Sequence, residues 1–217
     1  MLRRQMNLFM YRLIQQVPPM PSTANIINDT KKSPRGRPRR LDREEGVALA
    51  EALFHARGYD AVGIKALCDT FGVRQPALYA AYGSKTELFG LALARYAASP
   101  YAAFIAKAID GATTPSEAFR AVLDGAARLY VADSERTGCM ALEASANASD
   151  PAARKAACEL VDAARTALAA RYAELGANAP ETWAVATIIG MRGLSTEARM
   201  GWSSDDLVAA AAVIARG

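Results

Sequence analysis

Three glycines divide the stretch from residue 42 to residue 99 into short segments, each with a helical apolar pattern. Within each segment, apolar side chains recur at spacings of three and four residues, which places them on one face of an α-helix. Gly58, Gly72 and Gly83 stand where the segments end, and glycine is favoured there because it adopts a left-handed backbone conformation without steric strain. The pattern predicts four short helices in this stretch.

The starts of these helices carry separate signals. Asp42 and Glu45 have the spacing of a capping box before the first helix, and Ser84 and Glu87 have it before the fourth. Pro76 suits the first position of the third helix, because the N–H that proline lacks would have no helical partner there. The helix boundaries in this stretch are therefore expected to follow local sequence chemistry.

The second and third segments form a candidate helix-turn-helix, joined by the turn Gly72-Val73-Arg74. In that arrangement the first helix of the pair holds the second at an angle, so the N-terminal residues of the second enter the major groove of DNA, which is ~12 Å wide. Many helical hairpins have a similar outline, and the spacing alone is only moderately specific.

Alanine supplies 48 of the 217 residues, and it is the strongest helix former. No alternating run of β-branched and aromatic residues indicates a strand. We therefore expect an all-α fold, with an N-terminal three-helix domain that contains the helix-turn-helix and a C-terminal helical bundle. The further helices are expected over residues 101–110, 115–133, 139–147, 151–175, 180–200 and 204–216.

Several classes of protein are disfavoured by what the sequence lacks. The longest fully apolar runs have nine residues, as in 207–215, well short of the ~20 that span a bilayer. Three cysteines without a C-x-x-C pair and a single histidine, His55, argue against a disulfide framework, a metal site and a two-histidine catalytic mechanism. We expect no enzyme activity and no cofactor. Cys139, at a predicted helix start, could sense oxidants or be a small buried hydrophobe.

The net charge of +4 is concentrated at the N-terminus. Residues 1–40 carry nine Lys and Arg against one Asp, which gives +8, and the remainder carries −4. A basic leader before a neutral or acidic body indicates a polyanionic partner. Residues 1–19 could be a weakly amphipathic interfacial helix or a transit-like peptide, or translation could start at Met20. The proline-rich stretch that follows predicts a flexible leader up to residue 40.

Residues 42–96 resemble the N-terminal domain of the TetR/AcrR transcriptional regulators. The likeness rests on the Gly-Val turn at Gly72, the Leu78-Tyr79 pair, and the aromatic-Gly-Ser-Lys-x-x-Leu run that begins at Tyr82. It implies a helix-turn-helix DNA-binding domain over residues 41–88 and a ligand-binding and dimerisation domain over residues 89–217. The chain departs from the family pattern in having Val62-Gly63 at the second helix start, Arg74-Gln75-Pro76 after the turn, and Ala80-Ala81 in the third helix.

The candidate DNA contacts follow from this placement. Arg74 and Gln75 can bond guanine and adenine in bidentate fashion, or they can be a solvated turn and cap. Ala77 can pack against a thymine methyl group, or it can be a small helix former. The other candidates are phosphate contacts with alternative roles as core or solvated side chains. They are Tyr79, Tyr82, Lys65 and Lys85, the last at a helix N-terminus. Arg37, in an Arg-Gly-Arg-Pro sequence similar to an AT-hook, could enter the minor groove or lie in a solvated tail.

The C-terminal bundle is large enough to enclose an effector pocket between its helices. The candidate lining residues are apolar or aromatic and could equally be plain core: Phe104, Phe119, Tyr130, Met140, Trp183 and Met191. Residues 180–216 carry further apolar surface, including Val208 and Ala211, and a specific operator needs two recognition helices one groove turn apart. We therefore expect a homodimer joined by the last two helices.

These features together predict a cytoplasmic, nucleoid-associated transcriptional regulator. It would be a dimeric repressor, bound to a palindromic double-stranded DNA operator and released by a small-molecule inducer that favours a conformer with wrongly spaced recognition helices. The alternative is a helical small-molecule-binding protein or enzyme whose basic tail is incidental. The steep salt dependence of DNA binding would separate the two.

Overall fold

The computed structural model describes residues 42–99 and 103–216, and the predicted leader of residues 1–40 lies outside them. Within the described residues the secondary structure is helical, with no strand. The helices are α1 Arg43–Arg57, α2 Ile64–Phe71, α3 Gln75–Tyr82, α4 Lys85–Ala98, α5 Phe104–Ile109, α6 Pro115–Leu129, α7 Met140–Asn147, α8 Pro151–Glu174, α9 Pro180–Arg199 and α10 Ser204–Ile214. The all-α expectation is confirmed.

The end of α2 and the start of α4 lie where the sequence signals predict. Gly72 has a φ of 65° after α2, in the left-handed region. The capping box at α4 is complete, since the Glu87 N–H donates to the Ser84 hydroxyl at 3.1 Å and the Ser84 N–H donates to Glu87 Oε2 at 2.7 Å. Gly63 caps α2 without a side-chain hydrogen bond. The third helix starts at Gln75, one residue earlier than expected, with Arg74 as its N-cap.

The helix α6 ends four residues earlier than predicted. The helix expected over residues 115–133 ends at Leu129, and a turn-rich segment follows. Asp133 is the local reason, because its carboxylate accepts hydrogen bonds from the Glu135 N–H at 2.9 Å and from Arg136 at 2.7 Å. A side chain that bonds nearby backbone groups in this way competes with continued helix.

Helix α4 connects the helix-turn-helix to the C-terminal helices. Helix α1 packs along α4, and the pair α2–α3 is attached through contacts of α2 with α1 and of α3 with α4. Helix α4 also packs on α8, while α6, α7, α8, α9 and α10 pack on one another. The described residues from Arg43 onward belong to one compact unit. The predicted domain boundary at residue 88 falls inside α4.

An aromatic cluster fixes the corner after α1. Tyr59 lies 4.9 Å from Phe89 and 5.9 Å from Phe54 between ring centroids, and all three residues are buried. Rings at these separations contribute attraction beyond the area they bury. The cluster joins α1, the α1–α2 turn and α4.

No helix in the described part of the chain is long and apolar enough to cross a membrane.

Candidate nucleic-acid interface

Helix α3 presents one exposed side and one buried side. Arg74, Gln75, Ala77 and Tyr79 are exposed, with 42% of Tyr79 accessible, while Leu78 packs inward. The exposed residues occupy the N-terminal turns of the helix, which is the part that meets base edges when such a helix enters a major groove. The structure thus brings these four predicted contacts together on one surface.

Tyr82 does not share that surface. Only 6% of it is exposed, and its ring packs edge-to-face on Phe71 with centroids 5.5 Å apart. The Arg43 guanidinium lies over the ring at 5.9 Å. These contacts favour the core role for Tyr82 over the predicted phosphate contact.

Lys65 is exposed in the first turn of α2, and its ammonium pairs with Asp69 one turn later at 2.5 Å. The hydrogen bond and the charge of Asp69 raise the pKa of Lys65. Exposed pairs of this kind contribute little to stability, because water and salt screen them. A DNA phosphate could therefore replace Asp69 as the partner of Lys65 at little cost in stability.

Lys85, the other predicted phosphate contact, occupies the first position of α4 and is half-buried. Its Nζ lies 4.0 Å from the centroid of the Tyr59 ring, a cation–π contact. Burial lowers the pKa of Lys85, and the negative charges of Asp60 and Asp150 oppose that shift. The lysine is thus held on an aromatic surface at the helix N-terminus, where the helix dipole favours an anion.

A group of hydrogen bonds beneath Lys85 was not predicted from the sequence. Asp150 Oδ2 accepts from the Thr86 hydroxyl at 2.9 Å and from the Tyr59 hydroxyl at 3.2 Å. Beside it, the Ser149 hydroxyl and N–H donate to Asp60 at 2.7 Å and 2.9 Å. The only sequence signal was local: Asp150 before Pro151 reads as a helix N-cap, and that role says nothing about contacts 64 to 91 residues away.

A second polar contact joins the end of α1 to the C-terminal helices. His55 is 2% exposed, and its Nε2–H donates to the Gly138 carbonyl at 3.1 Å. Burial lowers the pKa of His55 to about 4, and the hydrogen bond to Gly138 opposes that shift only in part. Arg199 from α9 donates to the His55 carbonyl at 2.9 Å. His55 is therefore a neutral, structural side chain at neutral pH.

Cys139 lies in the same region and is buried. The Tyr96 hydroxyl donates to its sulfur at 3.2 Å, and its N–H donates to the Ser195 hydroxyl at 2.8 Å. This packing fits the role of a small buried hydrophobe. Within the described residues, no group of acidic, histidine and cysteine side chains could hold a metal ion.

The six predicted effector contacts are not gathered around one space. Tyr130, Met140 and Met191 are buried, and Phe104 packs on Tyr130 with centroids 6.3 Å apart. Phe119 and Trp183, with centroids 5.6 Å apart, instead line an open groove of about 750 Å³ along α9 and α10. The effector site stays a prediction.

The groove lies on the surface expected to join two subunits. Its wall includes Ile189 and Ile214, and 64% of Ile189 is exposed. Three further apolar side chains of this region are exposed: Val185 on α9, Trp202 in the turn after α9, and Val213 on α10. Other apolar residues of the same two helices are buried inside the subunit: Ala184, Ile188, Met191, Leu207 and Ala211. Ala211 thus packs inward, against the earlier expectation.

Comparisons with known proteins agree with this architecture. The family profile described as bacterial regulatory proteins, tetR family, matches residues 47–92. The chain is 37% identical over 191 residues to the HTH-type transcriptional repressor BdcR of Escherichia coli K12, covering 85% of this chain and 93% of BdcR. It is 38% identical over 65 residues to the repressor ComR of the same organism, covering 30% of this chain and 31% of ComR.

A solved structure of the TetR family transcriptional regulator CifR, a cysteine mutant complexed with a 26-base-pair double-strand operator DNA, is also similar. It matches with a TM-score of 0.69 and 26% identity, over 83% of this chain and 99% of that one. The extent of the BdcR match, nearly the full length of that repressor, settles the family. The chain belongs to the tetR family of bacterial regulatory proteins.

Proposed function

We propose that this protein is a dimeric transcriptional repressor that leaves a palindromic operator when a small molecule binds its C-terminal domain. The observation that carries the proposal is the exposed side of α3, where Arg74, Gln75 and Tyr79 project from one short helix. Two of the relatives named above are repressors, and CifR is seen on operator DNA. The site of action is the chromosome, in the cytoplasm at the nucleoid.

Each exposed group has a role in this proposal. Arg74 and Gln75 read base edges, and Ala77 packs on a thymine methyl group. Tyr79 and Lys85 bond phosphates on either side, and Lys65 adds charge next to them. Arg37 lies outside the described residues, and its minor-groove contact is proposed from the sequence alone.

A dimer supplies the second recognition helix. Two half-sites one helical turn apart need two such helices ~34 Å apart. The apolar residues exposed along α9 and α10, among them Ile189, Val213 and Ile214, support a seam between two copies there. A second copy on this face would cover the open groove, which has Phe119 and Trp183 in its wall. The effector contacts at Phe104, Phe119, Tyr130, Met140, Trp183 and Met191 are therefore proposed from the sequence alone.

The test of DNA binding starts with the purified protein and a library of random duplexes, from which bound sequences are selected. A repressor of this kind selects a two-fold symmetric site. Lys85→Ala should weaken binding to all sequences and lower the salt slope by about one unit. Lys155→Ala is the matched control, because Lys155 is an exposed lysine on α8 that pairs with Glu159. Equal slopes in both variants would contradict the docking of α4.

The test of the seam uses Ile189→Asp and the control Ala170→Asp, which is exposed on α8. A buried unpaired charge is costly at an interface, so the first variant should sediment as a monomer at micromolar concentration and lose operator affinity. The control should remain a dimer with full affinity. A dimeric Ile189→Asp variant would show that the seam lies elsewhere.

A further inference from the structure

Tyr59 contacts both the predicted phosphate-binding lysine, Lys85, and the N-cap of α8, Asp150. It is 4% exposed, and its ring is held on two sides by Phe54 and Phe89. The face of the ring carries the Lys85 ammonium at 4.0 Å. Its hydroxyl lies 2.8 Å from the Thr86 hydroxyl and donates to Asp150 at 3.2 Å. Packing alone would need only the ring, so the hydroxyl has a separate task.

Asp150 uses both carboxylate oxygens. Oδ1 caps α8 by accepting from the N–H groups of Ala152 and Ala153 at 2.8 Å and 3.0 Å. Oδ2 accepts from Tyr59 and Thr86. One carboxylate thus fastens the first turn of α8 to the first turn of α4, and hydrogen bonds to an ionised acceptor are stronger than neutral ones.

We propose that Tyr59 is a positioning residue for Lys85, and that the Tyr59–Thr86–Asp150 contact couples phosphate binding to the position of the first turn of α8. This inference rests on the proposed DNA-binding function. A displacement of α8 moves Asp150, and the hydrogen bonds from the Tyr59 and Thr86 hydroxyls to Asp150 then pull on these two side chains. The Tyr59 ring, on which Lys85 lies, moves with its hydroxyl. A cation held over an aromatic face loses less freedom when it meets a phosphate than a fully solvated one.

The electrostatics of the cluster support the same link. Hydrogen bonds from Ala153 and Thr86 lower the pKa of Asp150, so it is ionised at neutral pH and acts only as an acceptor. The negative charges of Asp150, at the start of α8, and of Asp60, in the α1–α2 turn, both raise the pKa of Lys85 against the effect of burial. A phosphate bound to Lys85 therefore competes with Asp150 for the positive charge of the lysine.

Coupling is reciprocal, so DNA can report on α8 without knowledge of the effector. The measurement is amide hydrogen exchange of the first turn of α8, with and without the selected operator duplex. We expect DNA to slow exchange at Ala152 and Ala153 by about fivefold or more in the wild type, the lower end of ordinary coupling factors. Wild-type protein that binds DNA with no change at these amides would overturn the coupling.

The deciding variant is Asp150→Ser. Serine keeps a capping oxygen for α8, but its side chain is one atom shorter and offers a single oxygen, so it does not serve the cap and the two hydroxyls together. The DNA-dependent change should disappear in this variant. Thr114→Ser is the matched control, because Thr114 caps α6 through the Glu117 N–H, remote from the helix-turn-helix. Persistence of the change in Asp150→Ser would refute the link.

The positioning role is tested by the salt slope of DNA binding. Tyr59→Leu removes the ring face and should lower the slope by about one unit, as Lys85→Ala does, while Tyr59→Phe restores the ring and the slope. A wild-type slope in Tyr59→Leu would contradict positioning. If Tyr59→Leu does not fold, Lys85→Ala is measured instead, at a DNA concentration that saturates it. In that variant DNA should no longer slow amide exchange in the first turn of α8, and a persistent slowing would contradict the proposal. A wild type that binds no duplex at all refutes the proposed function instead.

Discussion

Acidification should destabilise this protein through His55, and the structure gives the size of the effect. The imidazole is buried at the end of α1 and donates to the Gly138 carbonyl, so the folded state holds it neutral. Burial, with the nearby charges of Arg199 and Arg136, lowers its pKa from 6.5 to about 4. The unfolded chain binds a proton at this residue near pH 6.5, whereas the folded chain resists it down to about pH 4.

The sign and magnitude follow from linkage. Between the two pKa values the unfolded state binds more protons, so the free energy of unfolding falls as the pH falls. The full loss, reached below about pH 4, is about 3 kcal/mol, at 1.36 kcal/mol for each unit of pKa difference. Between pH 7 and pH 5 the expected loss is about 2 kcal/mol. For a chain of this size that corresponds to a decrease of roughly 4–8 °C in melting temperature.

The assay is urea unfolding at fixed protein concentration across pH 5 to 7, because a dimer's apparent stability depends on concentration. His55→Gln is the control: it can still donate to Gly138, and it removes the only histidine in the chain. Carboxylates with lowered pKa, such as Asp133, and Glu51 with its raised pKa, are common to both proteins. The wild-type curve should fall more steeply by about 2 kcal/mol. Parallel curves would refute the buried neutral state of His55.

Three further predictions follow from single features. Gly83→Ala should lower the free energy of unfolding by about 1–3 kcal/mol in urea, since φ is 73° there and a Cβ would lie 2.3 Å from Glu87 Oε2 in the capping box. Arg74→Ala should relax base preference at one position per half-site, at a cost of ~1–3 kcal/mol in operator affinity; equal loss on all duplexes would make it a phosphate contact. Deleting residues 1–34 should leave fold and dimer intact, whereas deleting 35–40 as well should weaken DNA binding measured by titration; insoluble protein after the shorter deletion would contradict this.

The N-terminal helices could be predicted closely because their boundaries depend on neighbours in sequence. Gly72 and the Ser84–Glu87 box specify a helix end and a helix start through interactions within four residues. The family resemblance added the orientation of α3, which periodicity alone does not give. Tyr82 shows the limit of that reasoning, because its burial depends on Phe71 from the preceding helix.

The contacts of the C-terminal helices could not be predicted in the same way. Apolar spacing identifies a face but not what covers it, so Met140 and Trp183 looked equivalent although one is core and the other lines a groove. In α10 the apolar residues point both ways, with Ala211 buried and Val213 67% exposed. The packing of α10 on α6 and α9 separates the two sides.

In the part of the chain that the structure describes, several hydrogen bonds between residues more than 80 positions apart involve residues 55–60, at the corner between α1 and α2. His55 is bonded from α9 and to the turn before α7, and Asp60 is bonded from Ser149 just before α8. Between them, Gly58 has a φ of 77° and lies so close to α7 that a Cβ would meet the Glu143 carboxylate at 3.0 Å. Arg199 of α9 and the turns before α7 and α8 thus hold one short corner that leads directly into the helix-turn-helix. Because packed interiors shift between discrete arrangements rather than deform smoothly, a rearrangement of α7, α8 or α9 has a route to α2 through this corner, beside the route through the packing of α8 on α4.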